Sequence, residues 1–68
     1  MKIFAERLKK LRTTKDISIT DLSKAIGVSS TTILRWETGN YNIKCENIIK
    51  LAIYFGVSAD YLFGVDSV

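Results

Sequence analysis

The sequence has no histidine, no proline and only one cysteine among its 68 residues. A single cysteine cannot form a disulfide within the chain, and the lack of histidine excludes a zinc site built from Cys and His. We expect Cys45 to be a small, half-buried hydrophobe, with a redox sensor or a disulfide-linked dimer as the alternatives. The lack of a cysteine framework fits a reducing, cytoplasmic compartment.

Long apolar runs are also missing from the sequence. No stretch approaches the ~18 continuous apolar residues of a membrane helix, so we expect no membrane association. Residues 1–11 are rich in charge and lack the apolar run of a signal peptide. With four glycines and no linker-like composition, the chain reads as one domain over residues 1–64, followed by a tail at 65–68.

No combination of residues suggests catalysis. The chain lacks histidine and a glycine-rich phosphate loop, and Ser29 and Ser30 have no base to activate them. We therefore expect no enzyme activity, no metal and no cofactor. The small size leaves no room for a separate sensor domain, so we expect no small-molecule ligand.

Positive charge is concentrated in the first part of the chain. Residues 1–49 hold nine basic and five acidic side chains, a net charge of +4, whereas residues 50–68 hold one basic and two acidic side chains, a net charge of −1. This asymmetry suits a polyanionic partner such as nucleic acid, although many soluble proteins are mildly basic.

Apolar residues recur at spacings of three and four, with serine before and glycine after several of the segments, which predicts helices. The predicted helices cover residues 1–12, 18–26, 30–37, 45–55 and 59–63, with either Ser29 or Ser30 capping the third. The residues that we expect to be buried are Phe4, Leu8, Leu11, Leu22, Ala25, Ile26, Ile33, Trp36, Ile48, Leu51, Ala52 and Phe55. The fold class is therefore a compact, all-α, five-helix domain.

Residues 18–37 have the pattern of a helix-turn-helix. Only residues 27–29 separate the two helices, so the helices must cross at a large angle. The outer face of the second helix carries Ser30, Thr31, Leu34 and Arg35, with Thr32 near its edge. Hydroxyls, threonine methyls and arginine suit the major groove of DNA, where they bind base edges, thymine methyls and guanine respectively.

Six segments spread over residues 3–64 carry a more specific pattern. They are RLKKLR at 7–12, IS at 17–18 with DL at 21–22, AIGVS at 25–29, RWETG at 35–39, ENIIKLA at 46–52 and FGVSADYL at 55–62. In this ordered set the chain resembles the Cro and phage-repressor helix-turn-helix proteins, also called the xenobiotic-response-element family. The resemblance implies a lambda-repressor-like fold with double-stranded DNA as the partner.

The resemblance also implies DNA contacts at particular positions. Ser18 and the start of the second helix would lie at a phosphate. Bases would be read at the opening of the third helix and one turn further along, and the following loop would touch the sugar-phosphate chain. The base-reading positions are Ser29, Ser30, Thr31, Thr32 and Arg35, and the loop positions are Thr38, Asn40 and Lys44.

The chain departs from the family pattern at three places. Ile19 replaces a DNA-bonding glutamine, so it either packs beside Leu22 or covers a thymine methyl or a sugar. Ser30 is shorter than the usual Gln or Arg, which shifts base readout toward Thr31 and Arg35 or toward bridging water. Residues 43–44 lack the usual proline and capping hydroxyl, so we expect a poorly capped fourth helix.

The family pattern pairs an arginine late in the first helix with a glutamate at the end of the third. Here these residues are Arg12 and Glu37. We expect a structural ion pair that orients the recognition helix, with Arg12 close to a phosphate. The alternative is that both side chains are merely solvated.

A chain this small cannot bury all of its apolar residues. Those expected to remain outside form a patch around the last two helices, namely Ile49, Ile53, Tyr54, Ala59 and Phe63. The resemblance implies a two-fold dimer through the fifth helix and its flanks, with Ala59, Phe63 and Val65 at the interface. The alternative is a monomer with a frayed tail.

These features predict a sequence-specific transcriptional regulator, most simply a repressor, that binds an inverted-repeat operator as a homodimer. We expect it in the cytoplasm of a bacterium, encoded by the chromosome or by a phage or other mobile element, and associated with the nucleoid. The alternative function is a protein-binding module of the same fold, such as an antitoxin-like or regulator-tethering partner.

Overall fold

The computed structural model describes residues 2–39 and 42–65, and in these residues it contains five α-helices and no strand. The helices are α1 (Lys2–Thr14), α2 (Ile19–Ile26), α3 (Ser30–Thr38), α4 (Cys45–Phe55) and α5 (Ala59–Phe63). The predicted all-helical fold is confirmed, and α4 and α5 begin and end at the predicted residues. The predicted frayed tail lies mostly outside the described residues.

Serine hydroxyls start three of the helices. The Oγ atoms of Ser18, Ser29 and Ser58 accept hydrogen bonds from the backbone N–H three residues further on, at 3.0, 3.1 and 3.0 Å. Each bond satisfies an amide that the helix itself leaves unpaired. Ser29, not Ser30, is thus the cap of α3. At the start of α4, Lys44 makes no side-chain capping bond, as its sequence predicted.

α1 ends two residues later than the sequence predicted, at Thr14, because no glycine stops it. Asp16 ends the helix in the left-handed conformation, with φ of 57°. The Asp16 N–H donates to the Thr13 carbonyl and the Ile17 N–H to the Arg12 carbonyl, both at 3.0 Å. This pair of bonds is the Schellman pattern, which glycine at C′ normally completes.

One apolar core lies among the helices. Its buried side chains are Phe4, Leu8, Leu22, Ile26, Ile33, Trp36, Ile48, Leu51, Phe55 and Leu62. Two of the predicted core residues, Leu11 and Ala52, pack against it in partly buried positions. The ten buried side chains come from all five helices, and together they fix the position of α3 against the rest of the molecule.

Two predictions of burial are wrong. Ala25 is exposed, and Ser23 occupies the inner face of α2 in its place. Ser23 tolerates burial because its hydroxyl donates to the Thr20 carbonyl at 2.7 Å. Cys45 is exposed rather than half-buried, because it opens α4 one turn before the first buried residue of that helix, Ile48.

The first helix also holds the last one. The Arg7 guanidinium lies over the Tyr61 ring, 4.4 Å from its centroid, and Nη1 donates a hydrogen bond to the Tyr61 carbonyl. α1 contacts both α3 and α5, so it links the two.

None of the described helices is long and apolar enough to cross a bilayer. Over the same residues, no cluster of acidic or cysteine side chains could hold a metal ion.

Candidate nucleic-acid interface

The tight connection between α2 and α3 depends on Gly27. This residue has φ of 85°, a left-handed conformation that costs glycine little because it has no Cβ. The N–H groups of Gly27 and Val28 both donate to the Ser23 carbonyl, at 2.8 and 3.0 Å. Three residues therefore turn the chain from α2 into α3.

The two sides of α3 differ in burial. Ile33 and Trp36 point into the core, with Ile33 fully buried. Ser30, Thr31 and Arg35 are exposed, and Thr32 is half-buried at the edge. α3 therefore presents a polar face outward on a helix that is packed firmly from behind.

Most of the hydroxyls on α3 already have partners within the protein. The Ser29 Oγ lies 2.8 Å from the Thr32 Oγ1, and the Ser30 Oγ lies 3.4 Å from the Ser23 Oγ. The Thr38 hydroxyl donates to the Arg35 carbonyl at 3.0 Å. These hydrogen bonds were not predicted from the sequence, although serine and threonine near a helix start commonly bond the local backbone.

Two side chains on this face stand apart. Among residues 2–39 and 42–65, no hydrogen bond or ion pair engages the Thr31 hydroxyl or the Arg35 guanidinium. Both are exposed and one helical turn apart. They are the outward groups with donor capacity left for a ligand.

An ion pair fixes the far end of α3. Arg12 Nε and Nη2 donate to the two carboxylate oxygens of Glu37 at 2.6 and 3.1 Å. The side chains of Arg12 and Glu37 are only 14% and 4% exposed, so this is a bidentate pair largely out of water. The hydrogen bond to Glu37 raises the pKa of Arg12 above its ordinary value, against the lowering effect of burial.

Arg12 also joins a third segment. Its Nη1 donates to the Ile17 carbonyl at 2.9 Å, just before α2 begins. One guanidinium thus connects the end of α1, the entry to α2 and the end of α3. The helix-turn-helix is thus held at both of its ends by Arg12, and the Ser23 and Ser30 hydroxyls are in contact beside its turn.

Known proteins share this sequence pattern and this arrangement of helices. The helix-turn-helix family matches residues 8–62. The chain belongs to that family. Members of this family of Cro/C1 type are DNA-binding transcription regulators and not enzymes.

Relatives of this helix-turn-helix chain include a phage repressor. The cryptic phage CTXphi transcriptional repressor RstR of Vibrio cholerae is 33% identical over 55 residues, which cover 81% of this chain and 50% of the repressor. The chain thus spans about half of that relative's length. A helix-turn-helix-type transcriptional regulator of Methanocaldococcus jannaschii is 35% identical over 84% of this chain and 86% of its own.

Solved structures share the fold. The P22 c2 repressor, crystallised with a synthetic operator, superposes with a TM-score of 0.88 at 30% identity and covers 97% of this chain and 100% of its own. The restriction-modification controller protein C.AhdI from Aeromonas hydrophila superposes with a TM-score of 0.83 at 32% identity, over 91% of this chain and 94% of its own.

The other predicted contact residues that the structure describes lie at the start of α2 and on both sides of the loop after α3. Ser18 is exposed and caps α2, whereas Ile19 is half-buried and packs against the core. The sequence left two roles open for Ile19, packing or a contact with DNA, and in the structure its side chain packs against the core. Thr38 and Lys44 are exposed on either side of the loop, and Asn40 lies outside the described residues.

The predicted dimer residues lie in α5 and just after it. Phe63 and Val65 are exposed and Ala59 is half-buried. The Phe63 ring lies 6.3 Å from the ring of Phe4, centroid to centroid. α5 itself is held by Arg7, whose contact with Tyr61 the sequence did not predict.

Proposed function

We propose that this chain is a sequence-specific, double-stranded DNA-binding transcriptional repressor that binds an inverted repeat as a homodimer. The observation that carries the proposal is the outward face of α3, polar and exposed while Ile33 and Trp36 anchor the helix from behind. A helix held this way enters the major groove without rearrangement, because its crossing angle is already set. The P22 c2 repressor, of the same fold, was crystallised with an operator.

Base readout is assigned to Arg35 and Thr31. Arginine bonds guanine O6 and N7 in a bidentate geometry, and threonine bonds a base edge or touches a thymine methyl. Both side chains are exposed and uncommitted within the described part of the chain. Ser30 contributes less directly because its hydroxyl faces Ser23.

Phosphate contacts are assigned to the surroundings of α3. The first amides of α2 follow the Ser18 cap and favour an anion. Lys44 supplies a charge at the loop and Asn40 a neutral donor, whereas the Thr38 hydroxyl must exchange its bond to the Arg35 carbonyl for one to a phosphate. Such contacts position the protein without carrying sequence information, and they make the affinity fall steeply with salt.

The dimer is assigned to α5 and its flanks, where Phe63 and Val65 are exposed. A two-fold axis there would bring the same surface of both protomers together and place the two α3 helices on half-sites about one helical turn, or about 34 Å, apart. This arrangement explains why an inverted repeat is the expected operator.

The experiment that tests the function is in vitro selection of duplexes from a random pool, run with wild type and Arg35→Ala. We expect wild type to enrich one inverted repeat, and Arg35→Ala to lose about 5- to 150-fold in affinity and to relax the preference at one base pair of each half-site.

Lys10→Ala is the matched control, since it removes one positive charge from an exposed position on α1. We expect it to lower affinity slightly and equally for all sequences. An unchanged preference in Arg35→Ala would remove Arg35 from the readout. Failure of wild type to enrich any duplex would favour the protein-binding module instead.

A further inference from the structure

Leu34 is an apolar side chain in the middle of the polar face of α3. It is 51% exposed, whereas the other large apolar side chains of this helix, Ile33 and Trp36, are buried. Leu34 follows Thr31 by three positions, so the two side chains are neighbours on the outer face of α3, with Arg35 on the other side of Thr31.

The neighbours of Leu34 restrict what it can contact. Ser30 and Thr38, four positions before and after it, direct their hydroxyls to Ser23 and to the Arg35 carbonyl. The outer face of α3 therefore offers a leucine side chain and the Thr31 methyl as its apolar surface, beside the Arg35 cation.

Leucine has no hydrogen-bonding group, so it gains nothing at a phosphate or at a polar base edge. In the major groove the apolar group of the base pairs is the thymine 5-methyl. Burying apolar surface against that methyl is favourable, whereas a base pair that presents an amino group there would be left without a partner.

We infer that Leu34 is a specificity-determining residue that contacts the 5-methyl group of a thymine in each half-site, next to the base pair contacted by Thr31. The inference rests on the proposed function, because it requires α3 to lie in the major groove. It predicts that part of the operator preference comes from a methyl group and not from hydrogen bonds.

The test replaces each thymine of the selected operator in turn by deoxyuridine, which removes only the 5-methyl group and keeps the base pair. For wild type we expect about a fourfold loss of affinity at one thymine per half-site, the effect of one buried methyl group. For Leu34→Ala we expect thymine and uracil to bind equally at that position, and for Leu34→Met the preference for thymine to return.

Ile49→Ala is the matched control, because Ile49 is equally exposed, at 51%, but lies on α4. It should keep the wild-type ratio of thymine to uracil affinity. An identical ratio for wild type and Leu34→Ala at every thymine, or a selected half-site without thymine, would overturn the inference. Either result leaves duplex binding intact, whereas failure of the proposed function would abolish it for wild type as well.

Discussion

Asp16 shows how one residue substitutes for a missing signal. It holds φ of 57° at the end of α1, where glycine is the usual residue. Any residue with a Cβ is less stable than glycine in this conformation, although aspartate tolerates it better than most. Because the sequence has no glycine here, the predicted helix ended at residue 12, two residues before the observed end at Thr14.

We expect Asp16→Gly to raise the free energy of unfolding by about 0.5–1 kcal/mol, because it relieves the left-handed backbone. Thermal unfolding followed by circular dichroism would show a melting temperature higher by a few degrees. The adjacent Lys15→Gly is the control: Lys15 has no positive φ, so glycine there should lower the melting temperature. Equal effects of the two variants would contradict the explanation.

At the residue scale, the sequence predicted which residues occupy α3 but not which of their polar groups are free. Ser29, Ser30, Thr32 and Thr38 all engage other atoms of the protein. These bonds depend on rotamers and on the approach of α2 to α3, which residue spacing does not determine. The same limit explains the reversal of Ala25 and Ser23.

At the scale of elements, helix ends were predictable where serine and glycine bracket the helix. α5 lies between Ser58 and Gly64, both in the expected conformations. α4 ends at Gly56 but begins without a side-chain cap at Lys44. Lys44 occupies the cap position of α4 without capping it, and the same residue is assigned to a phosphate contact. A substitution at Lys44 can therefore change the stability of the fold and the affinity for DNA in opposite directions.

We expect Lys44→Ser to stabilise the fold by about 1 kcal/mol, since serine would cap α4. The same change should weaken DNA binding and reduce the salt slope of log K against log[salt] by about 1, through loss of one phosphate contact. Lys50→Ser removes the same charge from an exposed position inside α4. This control should leave the salt slope unchanged and should not raise the stability. If Lys44→Ser retains the wild-type salt slope, Lys44 does not contact DNA.

The ion pair between α1 and α3 also acts between elements. Truncating one partner leaves the other charge largely out of water, which costs about 3–5 kcal/mol, a large share of the stability of a small domain. We expect Glu37→Ala to lower the melting temperature by more than 10 °C and to weaken DNA binding mainly by unfolding the protein.

Calorimetry and binding at a temperature where the variant is folded separate the two effects. The double variant Arg12→Met with Glu37→Leu should recover much of the stability, because it leaves no unpaired charge in the interior. A Glu37→Ala variant with the melting temperature and affinity of wild type would refute the structural role of the pair.

At the scale of the whole molecule, α1 contacts both α3, which we propose binds DNA, and α5, which we propose forms the dimer. Arg12 binds Glu37 at the end of α3, and Arg7 binds Tyr61 in α5. The overall fold was predictable because its core repeats at helical spacing and its motifs are ordered as in the family. The Arg7 contact was not, since it joins residues 54 positions apart.

The proposed dimer is a property of the whole molecule. We expect wild type to sediment as a dimer near ~100 μM, with an apolar surface around α5 at the interface. Val65→Asp should be monomeric with little change in melting temperature, because Val65 is 55% exposed. Lys9→Asp, at an exposed position on α1 outside this apolar patch, should remain dimeric. A monomeric wild type at this concentration would contradict dimerisation without DNA.

The most direct measurement of the central claim is nuclear magnetic resonance of the full chain titrated with its selected operator duplex. If the outer face of α3 lies in the major groove, the largest amide shifts will fall at residues 29–35 and at the start of α2. Unchanged α3 signals, with the shifts concentrated on the outer face of α4 at residues 49–54, would show that the protein binds DNA through another surface.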